Sequence, residues 1–195
     1  MGAIRSFVAV DLGAVVRSRL SEIQRQLKSS APAGSVRWVQ PESVHLTLKF
    51  LGDVPAERVG EISTALARAC EPLAPLSFVV AGAGCFPDPR RPNVVWIGVE
   101  DSSRKLQALQ QVVEQALNPL GFPPENRPFK PHLTLGRTQR SAAVTDLRAV
   151  GERVGALQVG ALGRVEVHEI ILMRSDLSPS GARYTPLAYI SLGGA

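Results

Sequence analysis

The chain has 195 residues, of which 45% are hydrophobic and 20% are charged. This composition excludes a disordered or collagen-like protein and is typical of a globular unit with a substantial core. The formal net charge of +5 favours polyanionic partners, although many basic proteins bind no nucleic acid. The two cysteines have neither metal-ligand nor disulfide-framework spacing, and no apolar run reaches membrane-spanning length, so we expect a cytoplasmic protein without membrane contact.

The first half of the chain is predicted to alternate strands with helices. Short runs of β-forming residues predict strands over residues 6–12, 36–39, 44–51, 76–81 and 94–99. An amphipathic helix is predicted from the helical spacing of Val16, Leu20, Ile23 and Leu27. Asp53 and Pro55 are predicted to begin a second helix, as its N-cap and early-turn residues. An irregular loop is expected after residue 81, because Gly84 and three prolines follow.

The second half is predicted to contain a third helix and several strands. Ser102 or Ser103 can cap this helix, whose apolar stripe is Leu106, Leu109, Val113 and Leu117. A proline-rich segment then leads to His132. A shorter helix is expected around residues 147–154, and strands are expected near residues 157–159, 165–173 and 184–192. Because strands often follow strands, the predicted fold class is α+β with antiparallel pairing.

One four-residue sequence, His-Leu-Thr-Leu, occurs twice, at residues 45–48 and 132–135, although the chain has only three histidines. In an extended strand the His and Thr of each copy share one face, while the two leucines point to the other. A single histidine on a strand is more often a hydrogen-bonded structural residue than a catalyst. Two copies with matching neighbours instead favour a duplicated half-site that faces its twin across a pseudo-twofold axis.

Two facing copies would suit in-line displacement at phosphorus. One neutral imidazole can take a proton from water, while one imidazolium gives a proton to the leaving oxygen. The threonine hydroxyls can donate hydrogen bonds to the non-bridging oxygens, where negative charge develops. The sequence offers too few ligands for a catalytic metal at this site, so we expect neither a metal nor another cofactor.

The paired motifs and their surroundings resemble the 2H phosphoesterase superfamily, and within it the bacterial and archaeal RNA 2′,3′-cyclic phosphodiesterases, formerly called 2′-5′ RNA ligases. The likeness covers residues 5–11, 38–52, 91–96 and 131–137, and five positions between Ser175 and Leu187. It implies a single domain over residues 1–195, made of two pseudo-symmetric lobes. Each lobe would be an antiparallel sheet with helices packed outside, and each would contribute one motif to a central cleft.

The resemblance also implies an enzyme that hydrolyses 2′,3′-cyclic phosphates, on RNA ends or small nucleotides, to 2′-phosphates. By the family's pattern His45 is the proton donor to the 3′ oxygen and His132 is the proton acceptor that activates water. Thr47 and Thr134 would hold the phosphate. Reversible 2′-5′ ligation by the same site is a second enzymatic activity consistent with these residues, and a monomer is the expected state.

Two basic residues that follow the motifs are further candidates for binding the substrate phosphate. Lys49 shares strand parity with His45, although a plain surface lysine is an equally good interpretation. Arg137 has the opposite parity to His132 and therefore needs a bend or a strand end to reach the cleft. Phe50, Phe86 and Phe129 are candidates for stacking on a base, although core packing is the more common role for any one of them. The alternative to an enzyme is a nucleotide- or RNA-binding module that has the same cleft but catalyses no reaction.

Overall fold

The structure is a computed structural model that describes residues 2–178 and 181–193. Within these ranges the chain forms nine strands and four helices. In chain order they are β1 (Ala3–Val10), α1 (Gly13–Ser30), β2 (Val36–Trp38), β3 (Leu46–Pro55), α2 (Val59–Cys70), β4 (Leu76–Phe86), β5 (Val94–Glu100), α3 (Lys105–Leu117), β6 (His132–Thr138), α4 (Val144–Gly155), β7 (Gly163–Val167), β8 (Glu169–Ser178) and β9 (Gly181–Ser191).

The strands form one sheet in the order β7-β4-β5-β6-β3-β1-β8-β9, and β2 pairs with β6. All the pairings are antiparallel. The first lobe consists of β3, β1, β8 and β9, against which α2 and α3 pack. The second lobe consists of β6, β5, β4 and β7, against which α1 and α4 pack. The α+β prediction with two pseudo-symmetric lobes is thereby confirmed.

The helices contribute to the core through the apolar stripes that the sequence predicts. In α3 the four predicted residues are all buried, and in α1 the buried apolar residues are Val16, Leu20 and Leu27. Burial of side chains of this size stabilises the fold by roughly 1.5–3 kcal/mol each. None of the helices in the described part of the chain is both long and apolar enough to cross a membrane.

The predicted start of the second helix is wrong. Asp53 and Pro55 lie at the end of β3, where they pair with Arg5 and Ala3 of β1. The helix begins later, at Val59, after a short 3-10 turn. A strand partner almost fifty residues away satisfies the backbone here, and a local capping pattern contains no information about such a partner.

The predicted end of the fourth strand is also wrong, because β4 continues through Gly84 to Phe86. The indole ring of Trp96, on the neighbouring β5, covers Gly84 so closely that a Cβ there would lie 2.4 Å from it. Glycine at this position therefore marks a close approach between two strands rather than a break.

Smaller corrections concern the third helix and the last strands. Ser103, one of the two predicted capping residues, accepts a hydrogen bond of 3.3 Å from the backbone N–H of Lys105 at the start of α3. The side chain of Asp101, which was not predicted, accepts two more from backbone N–H groups of the same turn. Residues 157–159 form no strand, and the long strand expected over residues 165–173 is divided into β7 and β8 by a bend at His168.

A second close approach fixes β2 against β6. A Cβ at Gly136 of β6 would lie 2.6 Å from Cγ1 of Val36 and 3.1 Å from the ring of Trp38. Both of these side chains belong to β2, and the valine has no flexible end that could move away.

We expect Gly136→Ala to lower the free energy of unfolding by about 1–3 kcal/mol, because the added methyl overpacks the contact between β2 and β6. Chemical denaturation measures the change. Gly60→Ala is the matched control, since a Cβ there meets nothing within 4 Å and the residue lies on the exposed face of α2. Equal stability of the two variants would contradict the close packing of β2 on β6.

Candidate active site

The two motif strands meet at the centre of the sheet. Leu46 of β3 pairs with Leu133 of β6, and both leucines are fully buried. These residues hold the same position in the two copies of the motif. Antiparallel pairing of equivalent residues creates a local twofold axis between them. The axis brings the His and Thr of each copy to the same side of the sheet.

A central cavity of about 260 Å³ lies on that side. It brings together five of the six predicted site residues: His45, Thr47, His132, Thr134 and Arg137. The remaining wall is formed by Arg5, Ser6, Phe7, Val39, Ser43, Val44, Phe50, Gly52, Ser175 and Tyr184. The lining contains two arginines and no carboxylate, so the cavity suits an anion.

The two histidines are held in the same way. Nδ1 of His45 lies 2.8 Å from the carbonyl of Ser43, and Nδ1 of His132 lies 2.7 Å from the carbonyl of Lys130. Because a carbonyl oxygen only accepts, Nδ1 must carry the proton in each hydrogen bond. Nε2 is then the atom that gains or loses a proton. The Nε2 atoms of the two histidines have no hydrogen-bond partner among the described residues. The same is true of the hydroxyl groups of Thr47 and Thr134.

Aromatic rings surround both imidazoles. His45 stacks on Phe7 at 4.6 Å between ring centroids and meets the edge of Tyr184 at 4.9 Å. His132 meets Phe86 edge to face, also at 4.9 Å. Burial lowers the pKa of both histidines below the usual 6.5, against the opposing effect of the backbone hydrogen bonds. Nearby arginines, Arg17 and Arg137 respectively, lower each pKa further.

A β-bulge follows the first motif threonine. Thr47 pairs with Ala9 of β1 and Lys49 pairs with Val8, which leaves Leu48 without a partner in that strand. One extra residue reverses the alternation of side chains along a strand. As a result Phe50, and not Lys49, lines the cavity.

A corresponding bulge follows the second motif threonine. Thr134 pairs with Trp96 of β5 and Gly136 pairs with Val95, so Leu135 has no partner in β5. Instead, the carbonyl of Leu135 accepts a hydrogen bond of 2.9 Å from Gln24 of α1. This bulge is the bend that Arg137 needs in order to reach the cavity.

The expectation that Lys49 contacts the substrate phosphate is wrong. The residue is 3% exposed, and its side chain lies on the core side of β3. The ammonium group is paired with the buried carboxylate of Glu114 in α3, and it donates a 2.8 Å hydrogen bond to the carbonyl of Pro123. Gln110 donates to the other oxygen of the Glu114 carboxylate at 3.0 Å. Lys49 thus connects β3 to α3 and to the segment that leads to His132.

Several wall residues were not among the predicted site residues. Arg5, Ser175 and Tyr184 come from β1, β8 and β9, which are distant from both motifs in the sequence. In the sequence they stand out only because they lie within the stretches that resemble the 2H phosphoesterases. Of the three candidate stacking residues, Phe50 is 55% exposed in the cavity wall, Phe86 touches His132, and Phe129 packs on the core.

The described residues contain no cluster of three or more His, Cys, Asp or Glu side chains that could hold a metal ion.

Comparisons with known proteins agree with this geometry. A family model described as LigT like Phosphoesterase matches residues 10–96 and again residues 97–184, so each match contains one motif. The chain is 36% identical to an RNA 2′,3′-cyclic phosphodiesterase of Methanothermobacter thermautotrophicus, over 97% of this chain and 99% of that protein. A crystal structure of a Thermus thermophilus protein gives a TM-score of 0.79 at 29% identity, covering 97% of this chain and 98% of that one. E. coli LigT complexed with 3′-AMP gives 0.77 at 28% identity, with the same coverage.

We expect Lys49→Ala to lower the free energy of unfolding by about 3–5 kcal/mol, because it leaves the Glu114 carboxylate buried and unpaired. The double variant Lys49→Met, Glu114→Leu should recover most of this loss, since apolar side chains then replace both charges. Urea denaturation measures both. A single variant as stable as the wild type would mean that the pair is not buried as described.

Proposed function

Because the chain belongs to the LigT-like phosphoesterase family of the 2H superfamily, we propose that it is an RNA 2′,3′-cyclic phosphodiesterase. It opens the cyclic phosphate at an RNA end and leaves a 2′-phosphate. The observation that carries this proposal is a pair of histidines in one cavity, each held through Nδ1 by a backbone carbonyl. The same cavity contains two threonine hydroxyls that have no hydrogen-bond partner among the described residues.

The lining of the cavity supports the assignment of the two histidine roles. Most of the lining residues belong to the first lobe, among them Phe50, Ser175 and Tyr184. In a cyclic phosphate both ring oxygens belong to the nucleoside, so the nucleoside lies on the side of the leaving oxygen. The histidine of that lobe, His45, is therefore the proton donor. The hydrogen bond of His132 lies at the surface, where water can enter opposite the leaving group.

The hydrolysis then balances in a single displacement. Nε2 of neutral His132 takes a proton from water while the water oxygen forms a bond to phosphorus. The bond between phosphorus and the 3′ oxygen breaks, and Nε2–H of protonated His45 gives its proton to that oxygen. The bond to the 2′ oxygen stays intact, and the product carries a 2′-phosphate.

The other cavity residues serve the phosphate and the nucleoside. Thr47 and Thr134 donate hydrogen bonds to the non-bridging oxygens, where the transition state gathers charge. Arg137 adds a positive charge beside them. Phe50, which is exposed in the wall of the first lobe, offers its ring to the unpaired base.

Reversible 2′-5′ ligation would use the same groups, with a 5′-hydroxyl leaving or entering on the His132 side in place of water. A binding module without turnover remains the alternative from another class, but such a module has no use for two opposed proton-transfer groups. Action on small nucleotides with a cyclic phosphate, a monomeric state, a cytoplasmic location and a single domain over the whole chain stay predictions. The shared sheet supports the single domain.

We expect His45→Ala and His132→Ala each to lower turnover about 10²–10⁴-fold, because each removes one proton-transfer group. The double variant should lose much less than the product of the two, since the groups act as a unit. The assay uses a short RNA that ends in 2′,3′-cyclic phosphate, with chelator present, and identifies the product by phosphorus NMR.

His168→Ala is the matched control for this experiment. The third histidine is exposed at the bend between β7 and β8 and does not line the cavity, so its loss should leave turnover unchanged. A 3′-phosphate product would reverse the two histidine roles. Binding without any product from the wild type would favour the binding module.

The pH dependence of kcat/KM should be bell-shaped, with its maximum below the usual histidine value of 6.5, because burial lowers the pKa of both groups. Above the maximum the proton of the donor is lost, and below it the base becomes protonated, so the rate falls on both sides. Rates between about pH 5 and about pH 8 test this. A rate that rises steadily to the alkaline end would contradict it.

A further inference from the structure

Arg5 of β1 is an uncompensated charge in the cavity wall. It is exposed, lines the cavity, and has no ion pair or hydrogen bond with any described residue. Its partner across the strands is Asp53, yet the two side chains form no ion pair. An arginine with all its donors free in a cavity without carboxylates is available to an anionic group of the substrate.

The position of Arg5 separates it from the reacting phosphate. Thr47, which we assign to that phosphate, pairs with Ala9 of β1. Arg5 lies four residues further along β1, a distance of about 13 Å at the usual rise of a strand. Phe7 lies between them on β1 and is within 6.0 Å of the ring of Phe50, measured between centroids. The wall therefore presents a phosphate site, then aromatic rings, then a cation.

The other cavity arginine, Arg137, belongs to the phosphate end of this series. It follows Thr134 on β6, in the second lobe. Tyr184 connects the two arginines, because both guanidinium groups are close enough to oppose the rise in its pKa that burial causes. The two arginines thus approach one tyrosine from different lobes, Arg5 on β1 and Arg137 on β6.

We propose that Arg5 binds a second phosphate, attached to the 5′ oxygen of the nucleoside that carries the cyclic phosphate. This inference rests on the proposed function and specifies its substrate. A guanidinium matches a phosphate through two parallel hydrogen bonds. In such a nucleotide the ribose joins the cyclic phosphate, the base and the 5′-phosphate, so one substrate can place these three groups at the phosphate site, the aromatic rings and the arginine. The preferred substrate is therefore an end that bears a 5′-phosphate or an RNA chain, not a bare nucleoside cyclic phosphate.

Three substrates separate the contributions: adenosine 2′,3′-cyclic phosphate, its 5′-phosphorylated form, and the dinucleotide ApA with a terminal cyclic phosphate. The wild type should have a higher kcat/KM for the second and third than for the first. In Arg5→Gln this preference should fall about 10- to 100-fold, the effect of losing charge-assisted hydrogen bonds of about 1.5–3 kcal/mol. Comparison of the second and third substrates distinguishes a terminal 5′-phosphate from a chain phosphodiester.

Arg174→Gln is the matched control. Arg174 lies on β8, where it is the strand partner of Ser6 of β1, and it forms a 2.8 Å ion pair with Asp176. It does not line the cavity. Its loss should leave the preference among the three substrates at the wild-type value.

Two results would overturn the inference. If Arg5→Gln keeps the wild-type preference, Arg5 does not recognise the 5′-phosphate. If Arg5→Gln lowers kcat/KM by the same factor for all three substrates, Arg5 acts on the reacting phosphate or on the cavity as a whole. Failure of the proposed function is a separate outcome, because the wild-type protein would then turn over none of the three.

Discussion

The structure depends on the antiparallel pairing of Leu46 with Leu133. Because these residues are equivalent in the two motifs, their pairing creates the local twofold axis and makes each half-site the neighbour of the other. Both leucines are fully buried, so a shift in register would expose them and turn the histidines away from each other. The same leucine pair therefore fixes the position of both histidines and fills the core of the molecule.

The two halves differ in how they fill equivalent positions. Each has a bulge after its threonine, but the residue next to the bulge is buried Lys49 in the first lobe and Gly136 in the second. The next residue, which the bulge directs into the cavity, is Phe50 in one lobe and Arg137 in the other. At this position the first lobe thus provides an aromatic ring and the second lobe a positive charge. The two motif strands are thus related by symmetry, while the side chains that line the cavity differ between the lobes. This arrangement suits a substrate with one nucleoside and one reacting phosphate.

The features predicted from the sequence are those that local periodicity or repetition encodes. The apolar stripes of α1 and α3 follow from spacing, and the repeated motif identifies four residues of the cavity. The wrong predictions depend on partners that are distant in the sequence: β1 extends β3 past Asp53, Trp96 explains Gly84, and the bulge opposite Val8 turns Lys49 into the core. Arg5 and Tyr184 reach the cavity through the order of the strands, which the pattern along the chain does not contain.

The backbone carbonyls that hold both Nδ1 atoms have a consequence for the free enzyme between reactions. In the proposed mechanism only Nε2 exchanges a proton, so one turnover ends with His45 neutral and His132 protonated, the opposite of the starting state. In this state the site is prepared for the reverse reaction. Before the next substrate can be hydrolysed, solvent must remove one proton and supply the other. The proposed mechanism therefore gives the free enzyme two protonation isomers, and their interconversion becomes a step of the catalytic cycle in its own right.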